Sequence, residues 1–154
     1  MKIVDILKPD CVIFEIKGET KNSILTSLAK PIAKAHSLDL DDMVTTLFSR
    51  EKLGSTGIGD GVAIPHGKAS GIKSITASIG KSTKGLNFDA LDGKPCHIFF
   101  LLIAPADSTS GHLKALARIS MMLKKPEFRQ KLMQASSEME LYELIAEQDS
   151  AIPE

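Results

Sequence analysis

A chain of 154 residues is long enough for one domain with a sizeable core. Nineteen basic side chains balance nineteen acidic ones, which removes the electrostatic case for nucleic acid or an anionic membrane surface as partner. The longest apolar run, residues 98–104, is strand-sized, and the opening stretch carries Asp5 and stops at Pro9, too short for a signal peptide. A cytoplasmic protein, not embedded in a membrane, is therefore expected. Cys11 and Cys96 match no metal or redox spacing and each adjoins an apolar segment, which predicts two buried free thiols.

In chain order, residues 12–16 read as a strand and residues 20–35 as a helix, with Pro31 either kinking it or opening its second part. Leu40, Met43, Val44, Leu47 and Phe48 then form an amphipathic stripe at helical spacing. Asp39 can cap that helix, and Gly54 can close it in the left-handed conformation. A short strand near 61–64, an alternating one at 75–79 and an apolar one at 97–103 follow. The last has the composition of a central strand covered on both faces. Helices are predicted near 110–124, 126–134 and 138–147, with Pro126 in a first turn and Ser137 with Glu140 as a capping box. Strands interleaved with helices imply an α/β layered domain around a mixed sheet of about five strands, and residues 149–154 read as a frayed tail.

The most informative residues are Ile64-Pro65-His66-Gly67, after the glycine-rich run Gly54-Ser55-Thr56-Gly57-Ile58-Gly59-Asp60-Gly61. Pro65 fixes its own φ and supplies no N–H, and Gly67 leaves the imidazole of His66 uncovered as the chain turns away. Imidazole is a good nucleophile near neutral pH when one ring nitrogen is tied to an acceptor and the other is aimed at a substrate.

Arg50 continues the stripe three residues past Leu47 and emerges just before the glycine-rich loop. It can cap the last carbonyls of its helix, reach an anion near His66, or do both, since a guanidinium has five donors. His112 falls in a helix first turn beyond the apolar strand, sharing a face with Leu116, Ile119 and Leu123. It is either a core-facing structural histidine or part of an anion site, because ligands collect beyond strand carboxyl ends and helix starts present free N–H groups. His36 reads as a surface residue, His97 as a strand-edge residue, and Asp60 and Asp107 as turn acids.

The glycines do not spell a nucleotide loop. A phosphate loop would need glycine where Val62 stands and a hydroxyl where Ala69 stands, and the dinucleotide fingerprint needs strand before and helix after, the reverse of the order here. A zinc site from His66, His112 and one acid lacks paired-histidine spacing. No metal or cofactor is called for.

Ser49-Arg50-Glu51-Lys52-Leu53-Gly54-Ser55-Thr56-Gly57-Ile58-Gly59, followed by Gly61-Val62-Ala63-Ile64-Pro65-His66-Gly67-Lys68, resembles the signature of the phosphotransferase-system enzyme IIA domains of the mannitol/fructose class. It is most similar to the nitrogen-regulatory branch. The similarity spans nearly the whole chain, with Pro105-Ala106-Asp107 and His112-Leu113 matching and the stretch after Ala115 fitting only in its apolar pattern. The resemblance implies a domain over residues 1–148, a single α/β/α sandwich with helices on both faces of a mixed, mostly parallel sheet, and a tail at 149–154. It implies that His66 is phosphorylated on Nε2, that His112 and Arg50 assist around the phosphoryl group, and that an HPr-like phosphocarrier (NPr, in the nitrogen branch) is the donor. Within these residues no second IIA, IIB or membrane IIC segment occurs, so the regulatory branch is expected over a sugar-specific IIA that passes phosphate to a IIB domain. A binding module without chemistry and a metal-dependent hydrolase are the readings from other classes. The regulated targets are not legible.

Overall fold

The structure, a computed structural model, describes residues 1–108 and 110–153. Thr109, three positions before His112, and Glu154, in the expected tail, lie outside the described residues. A short 3-10 turn, Ile3–Asp5, leads into six strands: β1 (Leu7–Ile13), β2 (Gly57–Gly59), β3 (Val62–Ala63), β4 (His66–Ala69), β5 (Thr76–Leu86) and β6 (Cys96–Pro105). The helices are α1 (Lys21–His36), α2 (Leu40–Leu53), α3 (Ser110–Leu123), α4 (Pro126–Gln134) and α5 (Glu138–Ser150).

The sheet order is β1-β5-β6-β3-β2, with β4 also paired to β6. β5 runs antiparallel to β6, whereas β3 and β4 run parallel to it, at Val62↔Ile98 and His66↔Leu102. β6 is central, and residues 98–104 are buried throughout. Each such side chain taken fully out of water contributes about 1.5–3 kcal/mol. The two sides of the sheet are covered by different helices. Ser78 of β5 donates to the Leu28 carbonyl of α1 at 2.7 Å, and Gly67 of β4 lies beneath Leu47 and Thr46 of α2. On the other face, Lys81 of β5 donates to the Met133 carbonyl of α4 at 3.3 Å. The α/β/α sandwich with a mixed sheet is thus as the sequence implied.

Several local expectations are corrected. β1 begins at Leu7, not Val12, because Lys8-Pro9-Asp10 are tolerated on an exposed sheet edge where Pro9 has no ladder bond to donate. α1 runs through Pro31 to His36. Gly54 ends α2 with a near-extended backbone (φ 158°, ψ 144°) and not in the left-handed helical form. Ser137 accepts from the Glu140 N–H at 3.0 Å, but the Glu140 carboxylate turns to Ser136 N and Oγ, so only half of the capping box forms. Nor are the described residues of the tail, 149–153, frayed. α5 continues to Ser150, Asp149 is fully buried on Arg118, and Ile152 and Pro153 accept from the same guanidinium.

The sheet has a sixth strand because Pro65 interrupts what is otherwise one long strand beside β6. β3 lies before the break and β4 after it. β2 and β3 form a hairpin around Asp60 and Gly61, both with positive φ (57° and 77°), the pair that a tight hairpin turn demands.

Candidate functional site

His66 is the first residue of β4 and not a loop residue. Alternation along the strand decides which way its ring faces. Gly67 faces α2, where an added Cβ would sit 3.3 Å from Leu47 Cδ2, so the absence of a side chain lets the helix approach the strand closely. His66 and Lys68 therefore face the opposite side, toward the start of α3. There the His66 and His112 rings meet edge-on, with centroids 5.0 Å apart and planes at 63°.

The two imidazoles are held differently. His66 Nδ1 lies 2.8 Å from the carbonyl oxygen of Ile64. A carbonyl only accepts, so Nδ1 carries the proton and Nε2 keeps its lone pair. The acceptor is the carbonyl of the residue before Pro65. His112 Nδ1 is buried and, among the described residues, is the one buried side-chain nitrogen or oxygen without a hydrogen-bond partner. Burial, then His66 and Lys68, push the His112 pKa below its ordinary value, which keeps the ring neutral. A buried orphan N–H costs more than a buried lone pair, so the neutral ring places its proton on Nε2.

Arg50 stands apart. It is half-buried in the last turn of α2, and its Nη1 donates to the Gly54 carbonyl at 2.8 Å. No hydrogen bond joins it to either histidine among the described residues. The capping role is therefore the one realised in this structure, and the guanidinium retains donors beyond the one on Gly54.

The remaining singled-out residues fall elsewhere. His36 is exposed at the end of α1. His97 is half-buried near the start of β6, with Nδ1 2.9 Å from the Ser82 carbonyl. Cys11 and Cys96 are buried free thiols, and burial, helped by Asp92 and Glu51, pushes Cys96 up to about 11. Among the described residues, no three His, Cys, Asp or Glu side chains are grouped to hold a metal, and no helix is long and apolar enough to cross a membrane.

Three residues beside the site were not singled out from the sequence. Lys68 lies two positions past His66, and strand spacing alone would have placed it on the same face. Glu51 and Thr56 are buried between α2 and the glycine-rich loop. An acid next to Arg50 in a helix's last turn, against the dipole preference, was the available signal for Glu51.

This geometry can be set beside known proteins. The family model for the EIIA 2 component of the phosphoenolpyruvate-dependent sugar phosphotransferase system matches residues 5–148. A nitrogen regulatory protein of Bradyrhizobium diazoefficiens is 34% identical over 146 residues, covering 95% of this chain and 95% of its own length. The fructose-specific EIIABC component of Bacillus subtilis is 32% identical over 150 residues, 97% of this chain, but this chain spans only 24% of that protein. Among solved structures, the nitrogen regulatory protein IIA-Ntr of Neisseria meningitidis superposes with a TM-score of 0.86 at 34% identity, covering 93% of this chain and 98% of that one.

Proposed function

The chain belongs to the EIIA 2 family of the phosphoenolpyruvate-dependent sugar phosphotransferase system, and on that premise we propose that it is a nitrogen-regulatory phosphocarrier. It accepts a phosphoryl group on Nε2 of His66 from an HPr-like carrier of the NPr kind and regulates target proteins through its phosphorylation state. A phosphoenolpyruvate-driven donor implies the cytoplasm as its place of work.

The observation that carries this reading is the fixed His66 tautomer. With Nδ1–H on the Ile64 carbonyl, the Nε2 lone pair attacks the phosphorus of a donor phosphohistidine. The new N–P bond forms as the donor's N–P bond breaks, and the departing electron pair returns to the donor imidazole. His66 needs no proton transfer, because Nδ1–H stays where it is. Exchange between two phosphohistidines is nearly balanced in free energy, so the protein's task is alignment and charge stabilisation. His112, neutral with Nε2–H, donates to a phosphoryl oxygen without bringing a buried charge of its own. Arg50 supplies the cation, using donors that Gly54 does not occupy.

The test is to incubate the purified chain with phosphoenolpyruvate, enzyme I and the carrier, and then to map the label. Phosphate on His66 supports the reading, whereas phosphate on His36, His97 or His112 overturns it. A second reading, a sugar-specific IIA, is favoured by the 32% identity to the fructose-specific EIIABC component. Rapid transfer from the phosphorylated chain to a fructose-class IIB domain would establish it over the regulatory branch.

A further inference from the structure

The ring of His66 is positioned by more than the carbonyl it touches. Ile64 lies between β3 and β4, outside the pairings of either with β6, and the bond that holds its own N–H comes from the glycine-rich loop beside β3. Its carbonyl accepts from His66 Nδ1–H at 2.8 Å, and its N–H donates to the Thr56 carbonyl at 2.9 Å. Thr56 is itself fixed. Its N–H lies 3.2 and 3.3 Å from the two oxygens of the Glu51 carboxylate, and its hydroxyl donates to Glu51 Oε1. Lys21 of α1 completes the shell, with Nζ 3.1 Å from Glu51 Oε2, 3.3 Å from the exposed Asp89 carboxylate and 5.0 Å from the centre of the Phe88 ring.

We propose that Glu51 is a positioning residue for His66, acting through Thr56 and the backbone of Ile64. The inference rests on His66 being the phosphoryl acceptor. Glu51 is 5% exposed and Thr56 4%, so these bonds form out of water, where each is stronger and geometry is sharply defined. A buried carboxylate serving stability alone needs only enough donors to offset its desolvation. Here two of its donors belong to one residue, and that residue's carbonyl passes the constraint to Ile64. The chain of bonds joins α1, the last turn of α2 and the glycine-rich loop to the one carbonyl that selects the His66 tautomer. In-line phosphoryl transfer is sensitive to displacements of this kind, with about 1 Å of misplacement able to cost on the order of a hundredfold in rate.

The test uses the full chain in wild-type form and as Glu51→Gln, Thr56→Val and Thr56→Ser. Nitrogen NMR of the unphosphorylated protein reads the His66 tautomer, and transfer from the phosphorylated carrier gives the rate. Glu51→Gln and Thr56→Val are expected to lower the Nδ1–H population of His66 and to slow transfer about tenfold or more. Thr56→Ser keeps the hydroxyl and is expected to stay near wild type in both readouts. If the folded variants melt earlier but show an unchanged His66 ring and rate, Glu51 is a stabiliser only and the proposal fails. Should Glu51→Gln not fold, Thr56→Val and Lys21→Met carry the same test. If wild type takes no phosphate on His66, the functional reading fails, while the ring spectra still decide whether Glu51 positions it.

Discussion

Helix α3 carries two polar clusters, and they are built on opposite principles. Near its middle, Arg118 is almost fully buried and makes four hydrogen bonds: to Asp149 Oδ1 at 2.8 Å and to the carbonyls of Asp149, Ile152 and Pro153 at 2.9, 3.0 and 3.0 Å. The other Asp149 oxygen accepts from the Val4 N–H at 3.1 Å, so the cluster ties both ends of the chain to one helix. At the start of the helix, His112 leaves Nδ1 unpartnered and presents its ring edge to His66. A cluster that satisfies its own charges internally has nothing left for a ligand. The His112 cluster is not closed on itself: Nδ1 stays unpaired, against the strong rule that buried polar atoms are paired, and on the proposed reading it is the ring's other nitrogen, as Nε2–H, that meets the phosphoryl oxygen.

The contrast can be broken in several ways, and the largest expected effect is on the acceptor. His66→Ala is expected to abolish phosphorylation while leaving the fold intact, because the ring is only half-buried at the start of a four-residue strand. Phosphoprotein gels and circular dichroism on the same sample check both halves. Arg118→Ala should show the reverse pattern. Removing one partner of the buried pair leaves Asp149 uncompensated, and a loss of about 3–5 kcal/mol in urea unfolding is expected, with transfer near wild type wherever the variant is folded. Parallel losses of transfer and stability would erase the distinction between the clusters.

Smaller effects sharpen it. Arg50→Ala should slow transfer by up to roughly a hundredfold, as for loss of one donor to a developing charge, and Arg50→Lys should recover only part because the planar fork is gone. Equal rates in all three proteins would leave Arg50 as the cap of α2 that the structure displays. For His112, Gln keeps a donor at similar reach, so a mild slowing is expected from Gln and a larger one from Ala. A fall in melting temperature with an unchanged rate would make His112 a packing residue.

The pH dependence of stability adds a finer probe of the same ring. Its folded-state pKa is depressed, by burial first and then by His66 and Lys68, so the unfolded chain binds the proton more readily. Stability is therefore expected to be full above the unfolded value near 6.5 and to decline as pH falls toward the folded value. His112→Gln should flatten that part of the curve.

The sequence disclosed this site unevenly, for physical reasons. Helices with clean 3.6-residue stripes, such as Leu40 to Phe48, and the apolar run of β6 were legible because burial patterns are local. The strand at His66–Ala69 was not, since Pro65 and Gly67 read as turn residues; Pro65 only interrupts the strand beside β6, and Gly67 lies under Leu47 of another element, α2. The pairing of His66 with His112 was suggested by the resemblance and by the rule about strand ends, but no spacing in the chain could show that the rings meet. Glu51 and Arg118 were missed because their partners, Lys21, Thr56, Asp149 and Pro153, are chosen by tertiary packing.

The most direct test of the acceptor assignment is nitrogen and phosphorus NMR of the chain after phosphorylation with all histidines labelled. The expected spectrum has one phosphohistidine, with phosphorus coupled to Nε2 of His66 and a proton retained on Nδ1 by the Ile64 carbonyl. Phosphorus on Nδ1 of His66, or on the exposed ring of His36, on His97 or on His112, would contradict it.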